Sequence, residues 1–182
     1  YLSDQELHNL LQALKQSRSK VVGDVVHFLL LTGARRGEAL QARWQDMDFE
    51  RQIWTVPLSK SGKARYVPLS DAALELLNRR LNQAQSDCPY VFPSPKTGQP
   101  LRHIYHAWHT IRTKAGIPDV RMHDLRHNFA SVLVNQGCSL YEVQKILGHA
   151  DSKTTQRYAH LSQESLINAA NLVGGQILKG QS

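Results

Sequence analysis

The chain has 182 residues, 41% hydrophobic and 20% charged, the profile of a single globular domain with a sizeable core and not of a disordered segment. Lys and Arg number 22 against 15 Asp and Glu, for a net charge of +7, which favours a polyanionic partner; with no long apolar run or lysine-rich amphipathic segment, nucleic acid ranks ahead of membrane. Cys88 and Cys138 stand far apart with no Cys-x-x-Cys pair, a usage that indicates neither a disulfide framework nor a zinc knuckle and fits a reducing, cytoplasmic compartment.

Tyr1-Leu2-Ser3-Asp4 leads straight into a helix without a signal peptide, an opening abrupt enough to suggest a fragment or excised domain. Ser3 and Glu6 make a capping box ahead of Leu7, Leu10, Leu11 and Leu14 at helical spacing. Val21 to Leu31 is apolar enough for a buried helix, which Gly33 ends by taking the left-handed conformation. Ala34-Arg35-Arg36 is then a tight turn that aims one arginine inward and leaves the other to solvent or DNA, although adjacent arginines alone are most often solvated surface groups. A further helix opens through Gly37-Glu38-Ala39-Leu40, and Glu38 is spaced to hold the Arg35 guanidinium or a histidine.

From Asp46 to Ser70 the period changes to two, with Trp54 and Val56 alternating against Ile53, Thr55 and Pro57, followed by Tyr66-Val67-Pro68. This predicts a small antiparallel sheet whose last turn, Lys60-Ser61-Gly62-Lys63, carries lysines at an exposed tip. Such tips commonly protect an edge or aid solubility. Ser70 caps a helix with Leu74, Leu77 and Leu81 on its apolar face and Arg79 and Arg80 on its wet one. Pro89 to Pro100 reads as a loop with a short extended piece at Tyr90, Val91 and Phe92.

Leu101 to Ala115 is helical in period, stopped by Gly116, with His103, His106 and His109 forming a polar face. The stretch Met122-His123-Asp124-Leu125-Arg126-His127 opens the next helix and puts His123 and Arg126 on one face. His123 and His127 also resemble the spacing of a zinc-protease helix, but Asp stands for Glu and Arg126 would set a cation beside the metal, so no metal is expected. Ser139 and Glu142 cap a helix that stops at Gly148, and Ser162 to Val173 forms a last helix ended by Gly174-Gly175. No P-loop, G-x-S-x-G or Rossmann fingerprint is present.

The segment Leu147 to His160, L-G-H-A-D-S-K-T-T-Q-R-Y-A-H, centres on Tyr158. Taken with it, Arg35, Lys60, His123, Arg126 and His149 follow the order Arg, Lys, His-x-x-Arg, His or Trp, Tyr. In these residues the chain resembles the tyrosine recombinases, or phage-type integrases, from Leu2 to about Val173. The resemblance implies a mainly α fold with a small three-stranded antiparallel β-sheet (α+β), the catalytic domain of that family. It implies one catalytic domain over residues 1–182, with 162–182 a tail docking in trans on a neighbouring protomer, and an upstream core-binding domain absent from this chain.

The same resemblance implies a site-specific recombinase that cleaves and rejoins double-stranded DNA through a 3′-phosphotyrosyl intermediate, without metal or ATP, in a tetramer on DNA. Tyr158 is the implied nucleophile, Arg35 and Arg126 the binders of the nonbridging oxygens, His123 a general base, His149 a donor to the phosphate, and Lys60 the acid for the leaving 5′ oxygen, with Lys63 as the alternative lysine. Glu38 and Asp124 support these groups, and Arg36, Lys63 and Arg65 are expected on DNA. No cofactor is needed, because the covalent link keeps the energy of the phosphodiester. A type IB topoisomerase shares this chemistry, and a non-catalytic DNA-binding module would share the fold.

Overall fold

The computed structural model describes residues 2–57, 64–84, 87–136, 138–148 and 163–180. The hairpin tip with Lys60 and Lys63, and the stretch with His149 and Tyr158, lie outside the described residues.

Helix α1 (Asp4–Lys15) starts at the expected capping box: the Ser3 N–H donates to Glu6 Oε2 at 2.8 Å, and the Glu6 N–H to Ser3 Oγ at 3.3 Å. Helix α2 (Lys20–Thr32) is the axis of the domain. Its apolar residues surround the helix instead of striping it, because it is packed on several sides, with Val25, Val26, Phe28, Leu30 and Leu31 wholly buried. Phe28 lies 5.3 Å from both Trp54 and Phe92, so the helix, the sheet and the proline-rich loop meet in one aromatic cluster.

After the short α3 (Arg36–Leu40), three strands form an antiparallel sheet in the order β1 (Met47–Asp48), β2 (Ile53–Val56), β3 (Arg65–Pro68). The register pairs Trp54 with Val67 and Val56 with Arg65, so these four side chains share the buried face. Helix α4 (Asp71–Asn82) is capped by Ser70 as expected. Arg80, expected in solvent, is instead folded down: its side chain is 11% exposed, donates to the Val91 carbonyl at 3.1 Å, pairs with Asp24, and covers the Phe92 ring. A long aliphatic stem lets arginine cover an apolar surface while its head finds acceptors.

Helix α5 (Tyr105–Lys114) starts later than its periodicity suggests, because a bridge between Pro93 and Pro100 keeps the preceding chain extended. His103 therefore precedes the helix that carries His106 and His109, and all three are exposed. Helix α6 (Asp124–Asn135) begins one residue after His123, and α7 (Leu140–Leu147) has the predicted capping box at Ser139 and Glu142.

The last helix, α8 (Gln163–Lys179), differs most from expectation. It runs through Gly174-Gly175 without stopping and lies on α2, α4, α6, α7 and β3 of its own domain. Ala169, Ala170, Val173 and Ile177 are buried there. Gly174 is where the helix crosses Ser70, and a Cβ would come within 3.1 Å of that hydroxyl, so the glycine serves close packing and not termination. Ala170 and Val173, two of the residues expected to dock in trans, are thus buried against their own domain.

Candidate active site

Three chain segments that are remote in sequence converge beside the C-terminal end of α2. Gly33 ends that helix at φ 61°, and a Cβ there would overlap Phe129 and Leu147. The turn so formed sets Arg35 in extended conformation between α2 and α3. The Arg35 N–H donates to Glu38 Oε2 at 2.9 Å, and its Nη1 to Glu38 Oε1 at 2.8 Å. Its Nη2 donates to the Gly148 carbonyl at 3.4 Å.

Arg126, from the first turn of α6, is 4% exposed. Its Nη1 donates to the Gly33 carbonyl at 2.8 Å and its Nη2 to the Leu147 carbonyl at 2.7 Å. Burial, then the cations of Arg35 and Arg65, bring its pKa down to about 10, so it remains charged at neutral pH. Both arginines are thereby held by the carbonyls of Leu147 and Gly148, the residues that directly precede His149. An arginine fork suits this task because one end can be fixed by carbonyls while the remaining N–H groups stay available to an anion.

Glu38 stands between two cations, Arg35 and Arg65. Burial alone would raise its carboxyl pKa, but the Arg65 charge and the hydrogen bonds from Arg35 outweigh it, and the group lies below its ordinary value. Arg65, expected on DNA, is 7% exposed: it pairs closely with Glu38 and donates to the Ile146 carbonyl at 2.9 Å. Its position on the same strand face as Val67 is the signal that could have marked it as inward-facing.

His123 lies just ahead of α6 and not on it, exposed, with the His127 ring 4.9 Å away and edge-on. Desolvation, then electrostatic repulsion from His127 and Arg126, lowers its pKa and favours the neutral imidazole a general base requires. Asp124 accepts from Arg121, at 2.8 Å from the backbone N–H and 3.0 Å from Nη2, and its charge also acts on His123. An open cleft of about 300 Å³ is lined by Ala34, Arg36, Gly37, Met122, His123 and Arg126. Arg36 and Arg126 put two cationic side chains in that lining, a surrounding that suits a phosphodiester. Among the described residues no group of three or more His, Cys, Asp or Glu side chains gathers to hold a metal.

The model of the phage integrase family matches residues 1–165. The chain belongs to the phage integrase family. Among relatives within or near the family, the tyrosine recombinase XerA of Pyrococcus furiosus is 30% identical over 188 residues, covering 96% of this chain and 64% of that protein. The integrase of Salmonella phage P22 is 33% identical over 160 residues, 82% of this chain and 41% of that one. A crystal structure of XerA recombinase superposes with a TM-score of 0.71 at 31% identity, covering 91% of this chain and 62% of that one. The XerH site-specific recombinase bound to its difH substrate gives 0.68 at 28% identity, covering 91% and 51%. The chain thus spans about two thirds or less of the length of these relatives. The expected fold of the family, mainly helical with a three-stranded antiparallel sheet, is the one observed.

Proposed function

We propose that this chain is the catalytic domain of a site-specific DNA recombinase that breaks and rejoins strands through a 3′-phosphotyrosyl intermediate. The observation that supports it best is the shared anchoring of Arg35 and Arg126 on the residues leading into His149, beside a cleft that also holds His123. Two guanidinium groups facing one phosphate would neutralise the charge that grows on the nonbridging oxygens as phosphorus becomes five-coordinate.

In this reading the Tyr158 oxygen attacks phosphorus and forms a P–O bond to the 3′ side, while the bond to the 5′ oxygen breaks. His123 accepts the tyrosine proton, and Lys60 gives one to the departing 5′ oxygen. The 5′ hydroxyl of another strand reverses the steps, so the phosphodiester energy is conserved and neither metal nor nucleotide is required. His149 donates to the phosphate, and Arg36 and Lys63 bind the DNA backbone. The reading also includes self-association as a tetramer on DNA and a cytoplasmic location. The XerH relative, bound to its difH substrate, is a precedent for double-stranded DNA as the partner.

The test is covalent capture from a pool of nicked duplexes of random sequence. The wild-type chain should form a denaturant-resistant protein–DNA adduct, and Tyr158→Phe should bind DNA alike and form none. An adduct that persists in Tyr158→Phe overturns the assignment of the nucleophile.

A further inference from the structure

Arg65 lies in the first position of β3, yet none of its surroundings resembles a DNA surface. Its guanidinium is buried, and two of its edges are committed, one to Glu38 and one to the Ile146 carbonyl at 2.9 Å. Glu38 in turn gives its other oxygen to Arg35 Nη1 at 2.8 Å. The next residues after Ile146 carry the carbonyls that hold Arg126 and Arg35. Gly148 completes the fit: at φ 64° a glycine is favoured, and a Cβ there would collide with the Arg65 stem. One buried side chain of the sheet therefore contacts α3 and the end of α7.

We propose that Arg65 is a positioning residue: by bridging Glu38 and the end of α7, it sets the direction in which Arg35 meets the scissile phosphate. The inference rests on the recombinase reading for its chemistry. Lysine cannot substitute, because a single ammonium on a flexible stem does not reproduce a rigid two-edged fork. Loss of the bridge leaves Glu38 with one cation and frees the Arg35–Glu38 pair to turn. Arg35 keeps its charge but loses its aim, a defect in the transition state more than in DNA binding.

Two measurements on the full chain test this, both with Arg65→Lys. The first needs no DNA: ¹⁵N relaxation of the arginine Nε–H groups, with Arg35 assigned through its loss in Arg35→Lys. Arg35 should be ordered in the wild type and approach the mobility of exposed Arg18 in Arg65→Lys, while the backbone amide spectrum stays folded. The second uses a duplex recovered by the covalent capture above, in its natural form and with a methyl group replacing one nonbridging oxygen of the scissile phosphate. Adduct formation by Arg65→Lys should be about 30-fold slower than wild type on the natural duplex, with DNA affinity within about twofold. On the uncharged methylphosphonate, which has less charge for Arg35 to neutralise, the gap should close to about threefold.

Equal slowing on both duplexes, or an Arg35 as ordered as in the wild type, overturns the proposal, since a general loss of structure would act alike on both substrates. Where Arg65→Lys does not fold, Arg65→Met, which buries no charge, is held to the same outcomes. A wild-type chain that captures no duplex defeats the recombinase reading, whereas the relaxation measurement still decides whether Arg65 positions Arg35.

Discussion

The buried guanidinium of Arg126 has its lost hydration replaced by the carbonyls of Gly33 and Leu147 at 2.8 and 2.7 Å. Replacing a lost hydration shell with fixed dipoles also fixes direction, which is why the two arginines are held by backbone and not by mobile side chains alone. In the proposed reaction a lysine has a different job, protonating the leaving oxygen. Lys60→Ala should slow cleavage of ordinary DNA far more than cleavage of a duplex with sulfur at the 5′ bridging position, whose leaving group needs no proton. The same rescue seen for Lys63→Ala, and absent for Lys60→Ala, would reassign the general acid.

Away from the site, His27 on α2 is half-buried, and burial, then the cations of Arg79 and Lys15, lower its pKa to about 4 from 6.5. The folded state thus binds its proton less well than the unfolded chain does. Its contribution to stability is fully present above about pH 6.5 and is lost as pH falls towards 4, on the order of 3 kcal/mol at most at 1.36 kcal/mol per unit. Urea midpoints measured from pH 7.5 to 4.5 should fall along this limb and flatten in His27→Gln. Glu38, whose carboxyl lies below its ordinary 4.5, loses its contribution at still lower pH, while His123, whose pKa is also lowered, shares the window with His27 and leaves part of the slope in the variant.

At the scale of elements, α8 decides how much of the domain stands alone. Its buried residues fall at three- and four-residue intervals, and the surface they cover belongs to α2, α4, α6, α7 and β3. Ile177, 1% exposed, should cost about 2 to 4 kcal/mol as Ile177→Ala, as expected for truncation of a packed aliphatic side chain. Ending the chain at residue 162 should abolish the cooperative thermal transition. A truncated chain that unfolds cooperatively at the original temperature would instead show that this helix is free to leave its own domain. The helix continues through Gly174-Gly175 because burial of Val173 and Ile177 on either side outweighs glycine's weak helix propensity, and the close approach to Ser70 favours a small residue at Gly174.

For the whole molecule, the excess of basic residues predicts how DNA binding responds to salt. A chain of net charge +7 that neutralises about five phosphates should show log affinity falling with log salt at a slope near −4.5, through release of condensed counterions. Titrations of a duplex between 50 and 200 mM salt, about a 500-fold loss by that slope, measure this directly. Binding that does not change over this range would contradict a backbone-tracking interface.

The order of helices and strands was legible because its signals are local: capping boxes at Ser3 and Ser139, the left-handed stops at Gly33 and Gly148, and the period of two in β2. Arg35, His123 and Arg126 were legible as a set because their residue types and spacing match a family pattern, not because any one is distinctive. Their meeting place was not, since it depends on carbonyls of Gly33, Leu147 and Gly148 brought together by packing of α2, α6 and α7. Arg65 and Arg80 looked like surface cations because composition carries no record of which carboxylate or carbonyl a long stem will reach after folding. The sequence by itself determined which elements form and which chemistry is available; the tertiary structure alone decided which charges are buried, what holds them, and that the last helix closes its own core, because burial and pairing are properties of neighbours in space.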